Sequence, residues 1–410
     1  MSKRIVFTGC GVLAGNAQGR NNFWQALNEG RIGYRPITLF DTEPFRVKQA
    51  SEITDFDAKS YMGPKGLRNL DRSTKLLVSA AKLAIEDSGY VIDERNTDQT
   101  GVSVGTTLGS IKSISDFDEV TLKEGPRYTN PAHFPNTVIN SPASQVSIWH
   151  RIKGFNTTLS TGFTASLDAM QYAYDFIQMD RAQMVFAGGV EEMCLQTFYG
   201  FYALKFLSGV QEGQPFINCP FDQRRNGIVF GEGACLLAME EYQHACQRKA
   251  EILGEIVAFG YQFDPFRINK YNPRGTGIKA AMRAALDQAG MSGGDIDYIC
   301  ANANSTGAAD KIEAQAIKEV FGKHSRRISV SSIKSMIGEC YSVSGAMAVA
   351  AALGVLRTGL MPPTVNYRQK DPDCDLDVIT ETRKAEIKNV MVTNFGPSGA
   401  NGCLIIRNVK

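Results

Sequence analysis

Histidine is scarce in this chain: there are four in 410 residues, His133, His150, His244 and His324, each in or beside polar, turn-like or helical surroundings. The nine cysteines are scattered singly from Cys10 to Cys403 without one CxxC pair. Neither a metal centre nor a disulfide framework is therefore expected, and the cysteines read as buried reduced thiols. Basic runs are short as well. No Lys/Arg run exceeds two residues and the formal net charge is +2, which argues against a nucleic-acid footprint or a polybasic membrane tether and leaves an acidic protein partner open. No apolar stretch is read as approaching the roughly 18 residues of a membrane span. The N-terminus, Met1-Ser2-Lys3-Arg4, runs straight into strand-like sequence, and the expected location is cytoplasmic.

What is present is a large hydrophobic complement. With 43% hydrophobic and 21% charged residues over 410 positions, the chain exceeds what one compact core usually holds, so two similar halves are expected. Strand-like runs at 5–8, 102–105, 184–189, 252–259, 298–301, 328–333 and 390–393 alternate with helical patterns, the signature of an α/β fold. An internal echo sharpens this: residues 80–89, AAKLAIEDSG, parallel 281–290, AMRAALDQAG, each a helix ending in a C-cap glycine before a strand. The chain reads as duplicated, with an N-terminal half at 1–250, a C-terminal half at 251–410 and the break near 240–260. Two long stretches rich in proline and aromatics, 106–140 and 195–225, read as irregular loops that carry function, an interface or mere surface decoration.

The segment Leu159-Ser160-Thr161-Gly162-Phe163-Thr164-Ala165-Ser166 is a small-residue turn opening an amphipathic helix. Such an elbow places a reactive Ser or Cys over a helix N-terminus, where free N–H groups and the helix dipole lower a thiol pKa and stabilise an oxyanion. Here the central residue is Phe163. A phenyl ring has no lone pair with which to attack a thioester, so covalent catalysis at this position is excluded.

Three further stretches carry a resemblance. Arg4-Ile-Val-Phe-Thr-Gly-Cys-Gly11, residues 220–233 (PFDQRRNGIVFGEG) and residues 394–402 (NFGPSGANG) are similar, in order and spacing, to signatures of the β-ketoacyl synthase family. The resemblance spans essentially the whole chain. It implies the thiolase-like condensing-enzyme fold, internally duplicated and five-layered, α-β-α-β-α, and it implies no cofactor or metal.

By that resemblance an active member carries a nucleophilic Cys at Phe163, a His at Asn302 and a second His at Glu339, and all three are replaced here. Asn302 still donates a hydrogen bond but does not titrate near neutrality. A Glu339 carboxylate about 4 Å from a developing oxyanion opposes it by roughly 4 kcal/mol at an effective dielectric near 20. The resemblance also implies a retained polar network of Lys334, Asp310 and Glu313, and a gate-like loop at Asn394, Phe395 and Gly396.

The branch of the family that lacks the nucleophile is the chain-length factor, the β subunit of bacterial type II polyketide ketosynthases. Residues Ser166-Leu-Asp-Ala169 are similar to that branch's Gly-Leu-Asp-Ala, whereas many of its members have Gln where this chain has Phe163. The expectation is a chain that is no enzyme on its own. It pairs with a catalytic ketosynthase α subunit in a heterodimer and meets the acyl carrier protein through that complex. Leu108, Ile111, Lys112, His133, Phe134 and Phe163 are then candidates for lining the pocket that limits chain length. Two other readings stay open: an active condensing enzyme or hydrolase using Ser160, Thr161, Thr164 or Cys340, and a homodimeric scaffold without activity.

Overall fold

Strand β1 (Ile5–Ala14) is buried along its whole length, as a strand covered on both faces must be. The computed structural model describes residues 3–409 and sets β1 in the middle of a long mixed sheet. The first half continues with α1 (Arg72–Ser88), β2 (Thr100–Gly105), α2 (Ile111–Glu124), α3 (Ser141–His150), β3 (Asn156–Leu159), α4 (Ala165–Gln178), β4 (Met184–Glu191), α5 (Leu195–Ala203) and β5 (Gly233–Glu241). Its strands lie in the order β1-β5-β4-β2-β3. The pairs β1–β5 and β5–β4 are antiparallel, and β4–β2 and β2–β3 are parallel.

The second half repeats this plan with β6 (Gly254–Phe263), α6 (Thr276–Ala289), β7 (Tyr298–Cys300), α7 (Gly307–Phe321), β8 (Ser329–Ser331), α8 (Ser344–Thr358), β9 (Asp377–Val378), β10 (Asn389–Phe395) and β11 (Ala400–Arg407). The order β6-β11-β10-β7-β8 has the same strand directions, with β9 added at the edge. The expected duplication is therefore present strand for strand. Antiparallel pairing of Ile5–Phe7 with Gly254–Ile256 joins the two sheets. The echoed helices α1 and α6 both end on a left-handed glycine, Gly89 at φ 60° and Gly290 at φ 62°.

Five layers result. Helices α1 and α3 cover the first sheet through Leu76, Leu77, Val146 and Phe186. Between the sheets lie α4 and α8, around Leu167, Met170, Val349 and Leu353. Helices α6 and α7 cover the second sheet through Met282, Ile299 and Ile317.

Two expectations are corrected here. Residues Tyr341–Thr358 do have the length and composition of a membrane span, and 83% of that stretch is buried. Alanine and glycine interleaved with Leu and Val hide the run in the sequence, and its apolar character follows from being enclosed by two sheets. The stretch 106–140 is not irregular throughout: α2 occupies 14 residues of it and buries none of them. Lys112, Asp116, Glu119 and Lys123 recur at helical spacing along one face and pair as Lys112–Asp116 and Glu119–Lys123, a helical pattern present in the sequence that the loop reading overlooks. Within 195–225, α5 anchors an aromatic cluster in which Phe198 meets both Phe40 and Phe45 at 5.3 Å between ring centroids.

Candidate functional site

The turn from β3 into α4 is fixed by two glycines. Gly162 has φ +79°, a conformation that favours glycine, and a Cβ on Gly105 of β2 would lie 2.3 Å from the carbonyl carbon of Ala165. The absence of that Cβ lets the N-terminus of α4 rest directly on the sheet. Phe163 is 4% exposed. Its ring meets Tyr341 edge-on, with centroids 4.5 Å apart at 81°, and Tyr341 in turn meets Phe201 at 5.4 Å. On its other side the ring lies on bare backbone, since a Cβ on Gly396 would sit 2.2 Å from Phe163 Cδ2. The amide of Asn394, oriented with its nitrogen toward a carbonyl, donates to Phe163 O at 2.6 Å and accepts from Gly345 N at 3.1 Å. The loop 394–396 and the turn at 163 are thus one packed unit.

Asn302 and Glu339 meet through Lys334. The buried ammonium Nζ donates to Asn302 Oδ1 at 2.7 Å and to Glu339 Oε2 at 2.8 Å. Glu339 also accepts from Asn304 Nδ2 at 3.0 Å, Ser344 Oγ at 2.6 Å and Tyr341 N at 3.1 Å. Asn302 Nδ2 donates to Phe395 O at 3.1 Å, which ties the network to the 394–396 loop. Lys334 therefore faces Glu339, while Asp310 and Glu313 serve the backbone. Glu313 accepts from Asn302 N at 2.9 Å and Ala303 N at 2.7 Å, and Asp310 accepts from Asn304 N at 2.9 Å and Phe221 N at 2.8 Å. Burial pushes these two carboxyls up, to about 7 for Glu313 and about 6 for Asp310. The repulsion between Glu339 and an oxyanion is reduced accordingly, because an adjacent cation already balances the Glu339 charge.

Leu108 is half-buried, and its N–H donates to Glu191 Oε1 at 3.0 Å. Glu191 also accepts from Thr107 N at 3.2 Å, from Thr106 Oγ1 at 3.2 Å and from Ser342 Oγ. Burial raises it to about 7. Thr107 Oγ1 accepts from Gly162 N at 3.0 Å, so the Leu108 loop is tied directly to the Phe163 turn. Ile111 is half-buried, whereas Lys112, His133 and Phe134 are exposed; the Phe134 ring lies 6.1 Å from Phe117 on α2.

Of the other nucleophile candidates, Ser160 is exposed, and Thr161 and Thr164 both donate to Asp168 Oδ2. Cys340 is fully buried, its thiol donates to carbonyl oxygens of Ile337 and Glu232 at 3.5 Å, and burial drives its pKa upward. Sequence reasoning missed Tyr341, Glu191 and Glu192. Two acidic residues at the end of an otherwise apolar strand were the available signal for the last two.

Two family models match the chain: the β-ketoacyl synthase N-terminal domain over residues 2–245 and the β-ketoacyl synthase C-terminal domain over residues 253–368. A 3-oxoacyl-[acyl-carrier-protein] synthase 2 from Coxiella burnetii is 35% identical over 409 residues, covering 99% of both chains. The ketoacyl synthase alpha subunit of the tetracenomycin polyketide synthase from Streptomyces glaucescens is 33% identical, covering 100% of this chain and 98% of that one. Among solved structures, the ishigamide ketosynthase/chain length factor superposes with a TM-score of 0.93 at 30% identity, covering 100% of each chain. These relatives correct one expectation. A chain that is no enzyme on its own was inferred from three replaced side chains, yet the Coxiella protein, matched from end to end, is named as an enzyme and points to a catalytic synthase. The inference weighed three positions against a scaffold whose helix N-terminus, glycine contacts and buried carboxylates are all in place. The chain belongs to the β-ketoacyl synthase family.

Proposed function

We propose that this chain is one of two unlike chains of a ketosynthase that works in acyl-carrier-protein-dependent polyketide assembly, standing in the chain-length-factor position of the pair. Condensation is carried out by the assembled two-chain synthase. The observation that carries this reading is the buried Phe163 ring at the head of α4, packed against Gly396 and Tyr341 where a nucleophile's substrate needs space. Likeness to a ketosynthase/chain length factor over the full chain supports it, and so does α2, which buries none of its residues.

In this reading Phe163, Asn302 and Glu339 shape and brace the site, Lys334 balances it electrically, and residues 394–396 form its gate. Leu108, Ile111, Lys112, His133 and Phe134 line the far end of the acyl pocket. Co-expression with a Cys-bearing ketosynthase and an acyl carrier protein, followed by native mass spectrometry and product analysis, tests the proposal. A one-to-one complex that makes polyketide, with product length altered by Leu108→Ala or Phe134→Ala, is the expected result. A homodimer that ignores the ketosynthase, or an acyl adduct on this chain by itself, counts against it.

A further inference from the structure

A cavity of about 520 Å³ opens between the start of α1, one side of α2 and the segment joining β4 to α5. Its wall holds Glu192, which is only 2% exposed. Glu192 Oε2 accepts from Ser73 N at 3.0 Å, but Oε1 has no hydrogen-bond partner among the described residues, a costly state for a buried polar atom. Asp71 repeats the pattern: its Oδ1 caps α1 by accepting from Thr74 N at 2.8 Å, and its Oδ2 has no hydrogen-bond partner among the described residues.

The cations nearby are already committed. Arg72 donates to both oxygens of Glu232 and to Ile53 O. Lys112 pairs with Asp116 at 2.6 Å, and Lys123 pairs with Glu119. The cavity wall thus carries two carboxyl oxygens, Glu192 Oε1 and Asp71 Oδ2, that no nearby cation among the described residues takes up by a hydrogen bond. Burial, Asp71 and Glu232 together push Glu192 up to about 8, the Arg72 charge opposing them weakly. The remaining wall is apolar, with Leu39, Phe40, Met193 and Leu195, suited to a methylene stem and to a flat cation over an aromatic ring. Helix α2, which forms the rim, exposes Ile114 and Leu122.

We propose that this cavity is a cation socket, in which Glu192 Oε1 and Asp71 Oδ2 receive the guanidinium of an arginine presented by the chain that covers α2. Two separate acceptors and an apolar, ring-bearing wall fit a planar fork better than a compact ammonium. That the guanidinium comes from a protein partner rests on the two-chain reading above; the socket itself does not.

The test uses the isolated full-length chain and n-propylguanidinium, with n-propylurea as the neutral isostere, followed by calorimetry. The expected result is one-to-one binding of the guanidinium and none of the urea. Because the bound cation favours ionised Glu192, binding releases a proton, and affinity rises from about pH 6.5 to about pH 8.5. Asp71, Arg72, Glu232, Asp116, Lys112, Glu119 and Lys123 are the other charged groups around the cavity. Glu192→Gln weakens binding by roughly tenfold and flattens its pH dependence. Equal binding of the urea, no saturable binding of the guanidinium, or unchanged affinity in Glu192→Gln overturns the socket. If Glu192→Gln does not fold, the pH profile of the unaltered chain decides. Failure to pair with a ketosynthase would sink the two-chain reading and leave this result standing.

Discussion

Lys334 Nζ lies 2.8 Å from Glu339 Oε2, both groups fully enclosed, so two residues five apart in sequence form a buried ion pair at the heart of the site. Removing one member strands the other charge out of water. Lys334→Met is expected to cost about 3–5 kcal/mol of stability. Adding Glu339→Gln should recover more than half of that, because the amide removes the stranded charge and keeps an acceptor for Ser344 and Tyr341. Urea unfolding of the two variants at neutral pH measures both numbers, and a Lys334→Met protein as stable as the parent would contradict the pairing.

Phe163 and Gly396 are coupled by shape. Since a Cβ at 396 would meet the Phe163 ring at 2.2 Å, Gly396→Ala should cost about 1–3 kcal/mol through overpacking. Phe163→Ala should cost about 3–5 kcal/mol through the cavity it leaves. In the double variant the new methyl enters the vacated space, so the summed loss should exceed the observed one by at least about 1 kcal/mol. Thermal unfolding of the four proteins reads this directly, and simple additivity would show that the ring and the loop do not touch.

The fold was legible in the sequence because its cause is local: apolar runs, glycine caps and an echo at 80–89 and 281–290 that reappears as α1 and α6. The elbow was legible too, since Gly162 and the small residues after it leave little choice of backbone. What was not legible depended on partners distant in the chain. Nothing near Lys334 says that it will face Glu339 while Asp310 and Glu313 hold backbone N–H groups. Helix α2 was legible in principle, with Lys112–Asp116 and Glu119–Lys123 at i,i+4 spacing, but the prolines and aromatics that follow it drew the whole stretch into a loop reading. Glu192 looked like one more acid until its neighbours Asp71 and Arg72, some 120 positions earlier, were placed around it.

Glu191 is fully buried among donors, with no cation among its hydrogen-bond partners, and is raised from 4.5 to about 7. A carboxyl whose folded pKa lies above its unfolded one binds its proton more tightly in the folded state. Its contribution is full below about pH 4.5 and is lost as pH rises toward 7. At 1.36 kcal/mol per pH unit the loss is on the order of 3 kcal/mol. Glu191→Gln, which cannot ionise, should therefore gain relative to the parent as pH rises from about 5 to about 8. Denaturant unfolding at those two pH values checks the sign, and a constant difference would mean that Glu191 stays in one protonation state throughout.

Cys246 is exposed, and the other eight cysteines are buried. Alkylation needs an accessible thiolate, and burial drives the Cys340 pKa upward, so both access and ionisation fail at Cys340. Iodoacetamide on the folded chain near pH 7.5 should add one carboxamidomethyl group, at Cys246, and Cys246→Ser should add none within an hour. Intact mass and peptide mapping give the answer. Rapid labelling at Cys340 would mean that the segment between Gly338 and α8 opens in solution, and it would return Cys340 to consideration as an acyl acceptor.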